Sequence, residues 1–320
     1  MFGALASLPS VPLAPAPTPI EELNRLRAAL GGGPRLLVKR DDAIGFAFGG
    51  NKVRKMRLVA ADALARGADT LITCGGVQSN HARVTAAAAA RLGLRSILVA
   101  NGAAPGRLTA NALLDRLLGA DVRYVAARED RGPAMDAAAG EERAAGRTPY
   151  VIPVGASTPL GAAAFALAIG ELLEQMPAPD VIVHSSSSGG TQAGLIAGCM
   201  LAGVRTRVLG ISADESSTAL AAEIRRILDG LAALAGEPAS RFAGAAVEID
   251  DRFVGGGYGV PTEDSRAALE LTARTEAMFL DPTYTAKAMA GLIDYVRRVA
   301  FTPAQTILFW HTGGQVAVFA

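Results

Sequence analysis

Cysteine is nearly absent: the 320 residues contain two, Cys74 and Cys199. Both sit in apolar segments and build no disulfide framework, so a reducing cytoplasm is the expected compartment. Histidine is scarce as well, at three residues, and no His or Cys falls at ligand spacing, so no metal is expected. Charge of one sign is missing: 31 basic and 30 acidic residues leave a net +1, with no run of like charge to attract nucleic acid or a membrane surface. Apolar stretches are broken by Gly, Pro or charge before the roughly 18 residues that suggest a membrane span. The segment from Met1 to Pro19 holds five prolines and no basic start, so a secretory leader is not expected. Three signatures are also absent. Without Gly-x-Gly-x-x-Gly the chain is no ordinary dinucleotide binder, without Gly-Lys-Ser/Thr no P-loop nucleotide binder, and without Gly-x-Ser-x-Gly no α/β-hydrolase.

What is present is a globular composition, half of it hydrophobic, long enough for one large domain or two moderate ones. Thr18-Pro19-Ile20-Glu21 reads as a helix start, with Thr18 as cap and Glu21 bonding back, running to about Leu30 before three glycines. Arg35 to Lys39 reads as a strand. So do 70–74, 96–100, 122–125, 150–154, 181–183, 208–211 and 306–310. Between them lie helical stretches; Met56, Val59, Ala60, Ala63 and Leu64 share a face that Gly67 ends. Residues 128–147 read as a surface helix, and 154–159 as a crossing between domains. Continuous apolar strands separated by helices imply parallel sheets covered on both faces, an α/β fold most simply built as two sheets.

Five stretches can carry chemistry, four of them directly behind or ahead of these elements. Gly49-Gly50-Asn51-Lys52 opens a helix, with Asn51 as its cap. A lysine at the positive end of a helix has its charged form disfavoured, as a Schiff-base lysine requires, although most lysines after loops are simply solvated. Gly75 to His81 follows a buried strand and offers Ser79, Asn80 and backbone amides where ligands of parallel sheets sit; an ordinary Ser79 cap explains only part of it. Ser185-Ser186-Ser187-Ser188-Gly189-Gly190-Thr191 lies between a strand and a helix. Its small residues free amides and hydroxyls to surround a phosphate. With both nucleotide signatures missing, a monophosphate cofactor is the expectation. Tyr258 and Tyr284 each stand in a turn-rich segment, either as packed aromatics or as wet hydroxyls. His311-Thr312-Gly313-Gly314 ends the last strand, with His311 read as structural.

In order and spacing these pieces resemble the D-cysteine desulfhydrase and 1-aminocyclopropane-1-carboxylate deaminase family, pyridoxal-phosphate (PLP) enzymes of the tryptophan synthase β type. The resemblance runs from about Thr18 to Phe319. It includes Lys39-Arg40-Asp41-Asp42, Gly49 to Lys52 with Arg54-Lys55, Gln78 to His81, and Asn111 with Leu113 to Arg116. It continues through Pro153-Val154-Gly155, Gly189 to Gly194, Asp281-Pro282 with Tyr284, and His311 to Gly314. It implies PLP fold type II: two three-layer αβα domains with mostly parallel sheets, residues 1–54 and 159–320 forming the larger and 55–158 the smaller. It implies that Lys52 holds PLP as a Schiff base and later moves the α-proton. Asn80 would bond the ring hydroxyl, and Ser187, Ser188, Gly189, Gly190 and Thr191 would cradle the phosphate. Ser79, Asn80 and His81 would receive the substrate carboxylate. Tyr258 and Tyr284 would flank the substrate, Tyr284 assisting proton transfer, and Thr312 would face the pyridine nitrogen.

The deaminase branch resembles this chain less at two places. It carries Glu after the tyrosine matching Tyr284, where Thr285 stands here, and Gln where His81 stands. A hydroxyl partner makes a weaker electron sink, which suits β-elimination. The expected activity is therefore β-elimination from a small amino acid, with D-cysteine giving pyruvate, ammonia and sulfide. L-cysteate sulfo-lyase, the ring-opening deaminase and an amino-acid racemase are the alternatives on the same scaffold, and an amino-acid binder without turnover is the alternative of another class. A cytoplasmic homodimer is the family expectation. Two departures from the family pattern stand out: Ser187 replaces a glycine, where φ would be constrained, and Gln315-Val316-Ala317 replaces Ala-Pro-Gly beside the expected ring-nitrogen site. Phe46 and Phe48 also make the loop ahead of Gly49 bulkier than expected.

Overall fold

A computed structural model describes residues 2–14 and 17–320. Its strands are β1 (Ile20–Glu22), β2 (Arg35–Arg40), β3 (Thr70–Gly76), β4 (Arg95–Asn101), β5 (Asp121–Val125), β6 (Pro149–Ile152), β7 (Val181–Ser186), β8 (Arg207–Ser212), β9 (Glu248–Asp250) and β10 (Thr306–His311). Its helices are α1 (Asn24–Ala29), α2 (Asn51–Ala65), α3 (Asn80–Leu92), α4 (Ala110–Leu117), α5 (Arg131–Ala144), α6 (Pro159–Gln175), α7 (Gly190–Ala202), α8 (Ser217–Leu234), α9 (Glu263–Glu276) and α10 (Thr285–Arg297). Two sheets form. One has the order β1-β2-β10-β7-β8-β9, the other β5-β4-β3-β6. Every pairing is parallel except β1 with β2.

Side chains of the larger sheet alternate between two cores, as the strand period requires. Leu37, Ile182, Leu308 and Trp310 pack against α6, α7 and α8. Their neighbours Leu36, Val38, Val181, Val183, Ile307 and Phe309 face α1, α9 and α10. In the smaller sheet Leu71 and Ile152 pack with α2 and α3, and Ile72 and Ile97 with α5. The apolar runs are continuous because both faces are covered. A cut between residues 54 and 55 falls within α2, whose Val53, Met56, Val59 and Ala60 belong to the core of the smaller sheet. No helix among the described residues is long and apolar enough to cross a membrane.

The helix expected from Thr18 does not form there. Ile20–Glu22 is an edge strand paired with β2, and the helix starts only at Asn24. The capping signature fails because Thr18 has stronger partners elsewhere. Its hydroxyl lies 3.1 Å from Asp41 Oδ1 and accepts from Arg54 Nη2 at 2.9 Å, while its amide donates to Glu171. The 128–147 stretch is helical from Arg131 to Ala144. Residues 154–156 form a tight turn between β6 and α6.

Candidate active site

Loops at the carboxyl ends of β3, β7, β8 and β10 converge with the start of α2 on a cavity of about 360 Å³, lined from both sheets. Of the residues singled out from sequence, Lys52, Ser79, Asn80, His81, Ser187, Ser188, Gly189, Thr191, Tyr258, Tyr284 and Thr312 all line it. Gly190 lies one layer behind.

Lys52 is the second residue of α2. The turn before it needs both glycines: Gly49 has φ 69° and Gly50 φ 102°. A Cβ on Gly49 would meet Asp42 O at 2.5 Å, and one on Gly50 would meet Thr312 O at 2.9 Å. Gly50, not Asn51, caps the helix. The Asn51 side chain does other work: its amide donates to Thr191 Oγ1 at 3.0 Å, and its Oδ1 accepts from Lys52 Nζ at 3.0 Å. Burial pushes the Lys52 ammonium down to about 8, Arg83 adds to the effect and Asp281 opposes it. An amine so placed is readily deprotonated, the state a Schiff-base lysine needs.

On the β3 side Ser79 caps α3 by accepting from Ala82 N at 3.2 Å. That leaves its hydroxyl proton uncommitted, and the amides of Asn80 and His81 open in the first helical turn. Asn80 Oδ1 accepts from Arg83 Nη1 at 3.0 Å and from Asn111 Nδ2 at 2.9 Å. The oxygen is therefore spent, and the NH₂ end is the free one. Arg83 also donates to Gly49 O at 2.9 Å and so joins this wall to the lysine loop. The His81 imidazole does not extend into the cavity as a cation. Its Nε2 lies 2.8 Å from Thr73 Oγ1, which donates to Ile152 O. Burial first, then Lys52 and Lys55, hold its pKa well below the usual range.

The serine loop leads into α7. Ser185 and Ser186 carry buried hydroxyls with no partner, and Ser188 Oγ lies 2.7 Å from Ser157 Oγ. The left-handed residue is Gly189, φ 76°, while Ser187 is not among the residues of positive φ. The serine at 187 is therefore unstrained. Behind the loop stands Lys55, whose Nζ donates to Gly155 O at 3.0 Å. A Cβ on Gly190 would lie 2.7 Å from that nitrogen and 2.8 Å from Ser157 Oγ. Orphan hydroxyls, open amides at a helix start and the buried amine of Lys55, whose pKa burial and then Lys52 hold well below the usual range, make a cradle that fits a phosphate.

Tyr284 and Tyr258 form the opposite wall. Tyr284 donates its hydroxyl proton to Tyr258 Oη at 2.7 Å, with the rings edge to face at 5.8 Å. Burial raises both phenols, Tyr284 well above 10, so both stay protonated near neutrality. The Arg128 guanidinium lies 5.0 Å from the centre of the Tyr258 ring and pairs with Asp214 at 3.1 Å and Glu215 at 3.2 Å. Asp281 is consumed at the start of α10: it accepts from the amides of Thr283, Tyr284 and Thr285 and from the Thr285 hydroxyl. Thr285 is fully buried in that turn. His311 is structural, with its Nδ1 accepting from Gly313 N and its Nε2 donating to Phe279 O. Gln315 turns away from the cavity and donates to Asp42 O and Phe48 O. Phe48 is exposed.

Lys55, Arg83 and Asn111 entered the sequence reading at most as letters of a motif, without roles. Apart from the bond of Arg83 to Asn80, three residues apart, their partners lie 28 to 102 residues away, beyond any local signal.

A two-sheet α/β fold with a buried lysine at a helix start and a phosphate cradle facing it defines a PLP enzyme of fold type II. The family model "Pyridoxal-phosphate dependent enzyme" matches residues 11–313, and the chain belongs to that family, within the 1-aminocyclopropane-1-carboxylate deaminase and D-cysteine desulfhydrase group. It is 42% identical to a 1-aminocyclopropane-1-carboxylate deaminase of Burkholderia vietnamiensis, over 99% of this chain and 97% of that one. It is 40% identical to a D-cysteine desulfhydrase of Klebsiella pneumoniae, with the same coverage. Among solved structures, an ACC deaminase homologue superposes with a TM-score of 0.91 at 36% identity, over 99% of this chain and 95% of that one. A threonine deaminase isoform from Solanum lycopersicum shares the fold, with a TM-score of 0.71 at 18% identity, over 97% of this chain and 82% of that one. The cofactor is pyridoxal 5'-phosphate, and the substrates of the group are small amino acids.

Proposed function

We propose that the chain catalyses β-elimination on a small amino acid, with D-cysteine as substrate and pyruvate, ammonia and sulfide as products. One observation carries this reading. Among the described residues the carboxylates lining the cavity are Asp214, Glu215 and Glu223, and each already pairs with an arginine, Arg128 or Arg226. Position 285 is a threonine committed to Asp281. A ring nitrogen held at Thr312 would then meet a neutral hydroxyl and no carboxylate.

Bound in this cavity, PLP draws electrons from the substrate's α-carbon and acidifies its C–H bond. The chain's residues do the rest. Lys52 would hold the cofactor and would take the substrate's α-proton on Nζ. Asn80 would offer its NH₂ to the ring oxygen. Thr191, the serines 187 and 188, Gly189 and Gly190 would receive the phosphate, with Lys55 behind them. The amides of Asn80 and His81 and the Ser79 hydroxyl orient the substrate carboxylate. The Tyr284–Tyr258 pair, protonated near neutrality, would hand a proton to the departing sulfur. Return of Lys52 to the cofactor would free the three-carbon product, and its hydrolysis by one water would give pyruvate and ammonia.

A screen of keto-acid release over D- and L-cysteine, L-cysteate, β-chloroalanine, serine and 1-aminocyclopropane-1-carboxylate tests this. D-Cysteine is expected to give pyruvate and sulfide in equal amounts and the highest kcat/KM. Sulfite from cysteate, or keto acid from the cyclopropane amino acid, at a higher kcat/KM would overturn it. We further assign residues 1–54 and 159–320 to one domain and 55–158 to the other; the strands divide between the two sheets in that way, while α2, which this boundary cuts, packs on both sides of the cut with the core of the smaller sheet. We take the working form as a cytoplasmic homodimer, its oligomeric state to be checked by light scattering.

A further inference from the structure

Lys287 is a fully buried lysine of α10 that lies outside the cavity wall. Its Nζ donates to three backbone carbonyls: Ala213 at 2.8 Å, Val254 at 2.8 Å and Gly257 at 2.9 Å. No carboxylate is among its hydrogen-bond partners. Three carbonyls around one positive nitrogen form the kind of cage that elsewhere replaces the water shell of a monovalent cation.

The three carbonyls are informative because of what they adjoin. Gly257 immediately precedes Tyr258, and Val254 opens the same loop. Ala213 precedes Asp214, the partner of Arg128, and the Arg128 guanidinium lies over the Tyr258 ring. Lys287 itself sits three residues after Tyr284. The loop has few ties of its own: the turn bonds from Gly257 N to Val254 O and from Val260 N to Gly257 O are both long, at 3.3 Å. The helix, by contrast, is fixed. A Cβ on Gly291 would meet Ile211 Cδ1 at 2.8 Å, so α10 rests closely on β8. The ammonium thus joins the poorly tied 254–257 loop to a rigid helix and to the Ala213 segment, which Ser186 O and the Ser212–Glu215 bonds already hold.

We propose that Lys287 is a positioning residue: a tethered cation that fills a carbonyl cage and thereby holds Tyr258 in register with Tyr284. The proposal rests on the reading that the tyrosine pair works in catalysis, but its central claim, that a cation is what orders these loops, is testable without turnover. Removal of the side chain should create a vacant monovalent-cation site. In Lys287→Ala holoenzyme, kcat should fall roughly 100-fold, the size expected when a reacting group is displaced by about 1 Å, with KM little changed because the carboxylate-binding wall lies elsewhere. Added ammonium or potassium should restore at least a tenth of the lost rate, and choline should restore none. The Tm of the same variant should rise with ammonium or potassium over choline at equal ionic strength, whereas wild type should not distinguish these salts.

Lys287→Gln guards against a variant that fails to fold, since its amide can still bond part of the cage. It should show a smaller defect and a weaker cation response. Wild-type kcat in Lys287→Ala, or a Tm and rate that treat ammonium, potassium and choline alike, would overturn the proposal. So would failure of both variants to fold in every salt, because then the side chain's bulk and not its charge would hold the loops. A cation-dependent Tm in a protein that turns over no tested amino acid would leave the cage intact and refute only the assignment of the reaction.

Discussion

The amide of Asn51 donates to the carbonyl of Thr312 at 2.9 Å, so the residue before the proposed cofactor lysine is bonded to the residue proposed to face the ring nitrogen. The two loops touch backbone to backbone; a Cβ on Gly313 would lie 2.5 Å from Gly50 Cα. Gly50→Ala would place its methyl 2.9 Å from Thr312 O at φ 102°. It is expected to cost about 2 kcal/mol of stability and to weaken cofactor binding on the order of tenfold. Urea unfolding and titration of the visible absorbance measure the two effects. An unchanged cofactor affinity would show that the contact between the loops does not matter.

The buried ammonium of Lys52 should make the apoprotein less stable than it could be. Its pKa is about 8 when folded against about 10.4 when unfolded. The unfolded chain therefore binds more protons between these values, and stability rises with pH across that window. Below pH 8 the full penalty is present, at most about 3 kcal/mol. Lys52→Met apoprotein should accordingly be the more stable form at pH 7, with the gap narrowing towards pH 10. Urea midpoints of the two apoproteins at both pH values check the sign. The same variant should bind PLP without the Schiff-base absorbance.

Asn80 presents its NH₂ end to the cavity because Arg83 and Asn111 occupy its oxygen. Asn80→Asp replaces that donor with an acceptor and should move the absorbance of the bound cofactor and weaken binding roughly tenfold, the worth of a hydrogen bond to a charged group. Asn111→Ala leaves the donor in place but loosens it, and a smaller shift in the same direction is expected. Equal spectra for wild type and Asn80→Asp would remove Asn80 from the ring.

Lys55 stands behind the serine loop, near Gly190 and Ser157. A charge serving the phosphate should discriminate between PLP and pyridoxal. Lys55→Met is expected to lower the affinity for PLP by about 100-fold while leaving that for pyridoxal nearly unchanged, since charge-assisted bonds to phosphate are the strong ones. Gly190→Ala, which would crowd both neighbours, should act in the same direction. Equal losses for the two ligands would mean that Lys55 only supports the fold.

The sheets were legible from sequence because runs such as Val181-Ile182-Val183 are apolar at every position, which only strands covered on both faces require. Ser79, Asn80, the serine loop and Thr312 were legible because each follows a strand end, whereas Lys52, Tyr258 and Tyr284 stood out by their glycine- or turn-rich segments. Thr18 was misread because its local neighbours spell a cap, whereas its hydroxyl belongs to Asp41 and Arg54. Asn51 was misread in the same way: Gly50 caps α2, and the amide reaches Thr191, 140 residues on. β9 and the cage around Lys287 carry no periodic signal. A three-residue strand is too short to show one, and a carbonyl cage is made of backbone that any sequence supplies.

Thr285 accepts from the Asp281 amide and donates to Asp281 Oδ1, both at 2.7 Å, and so clasps the first turn of the helix that bears it. The position at which the resemblance to this group sets its two activities apart is therefore also a structural fastener. A lineage crossing from one activity to the other by a single codon change at 285 would gain an acid and lose the clasp together. The route between them should need a compensating second substitution near Asp281, and intermediates along it should be heat-labile before they are newly active.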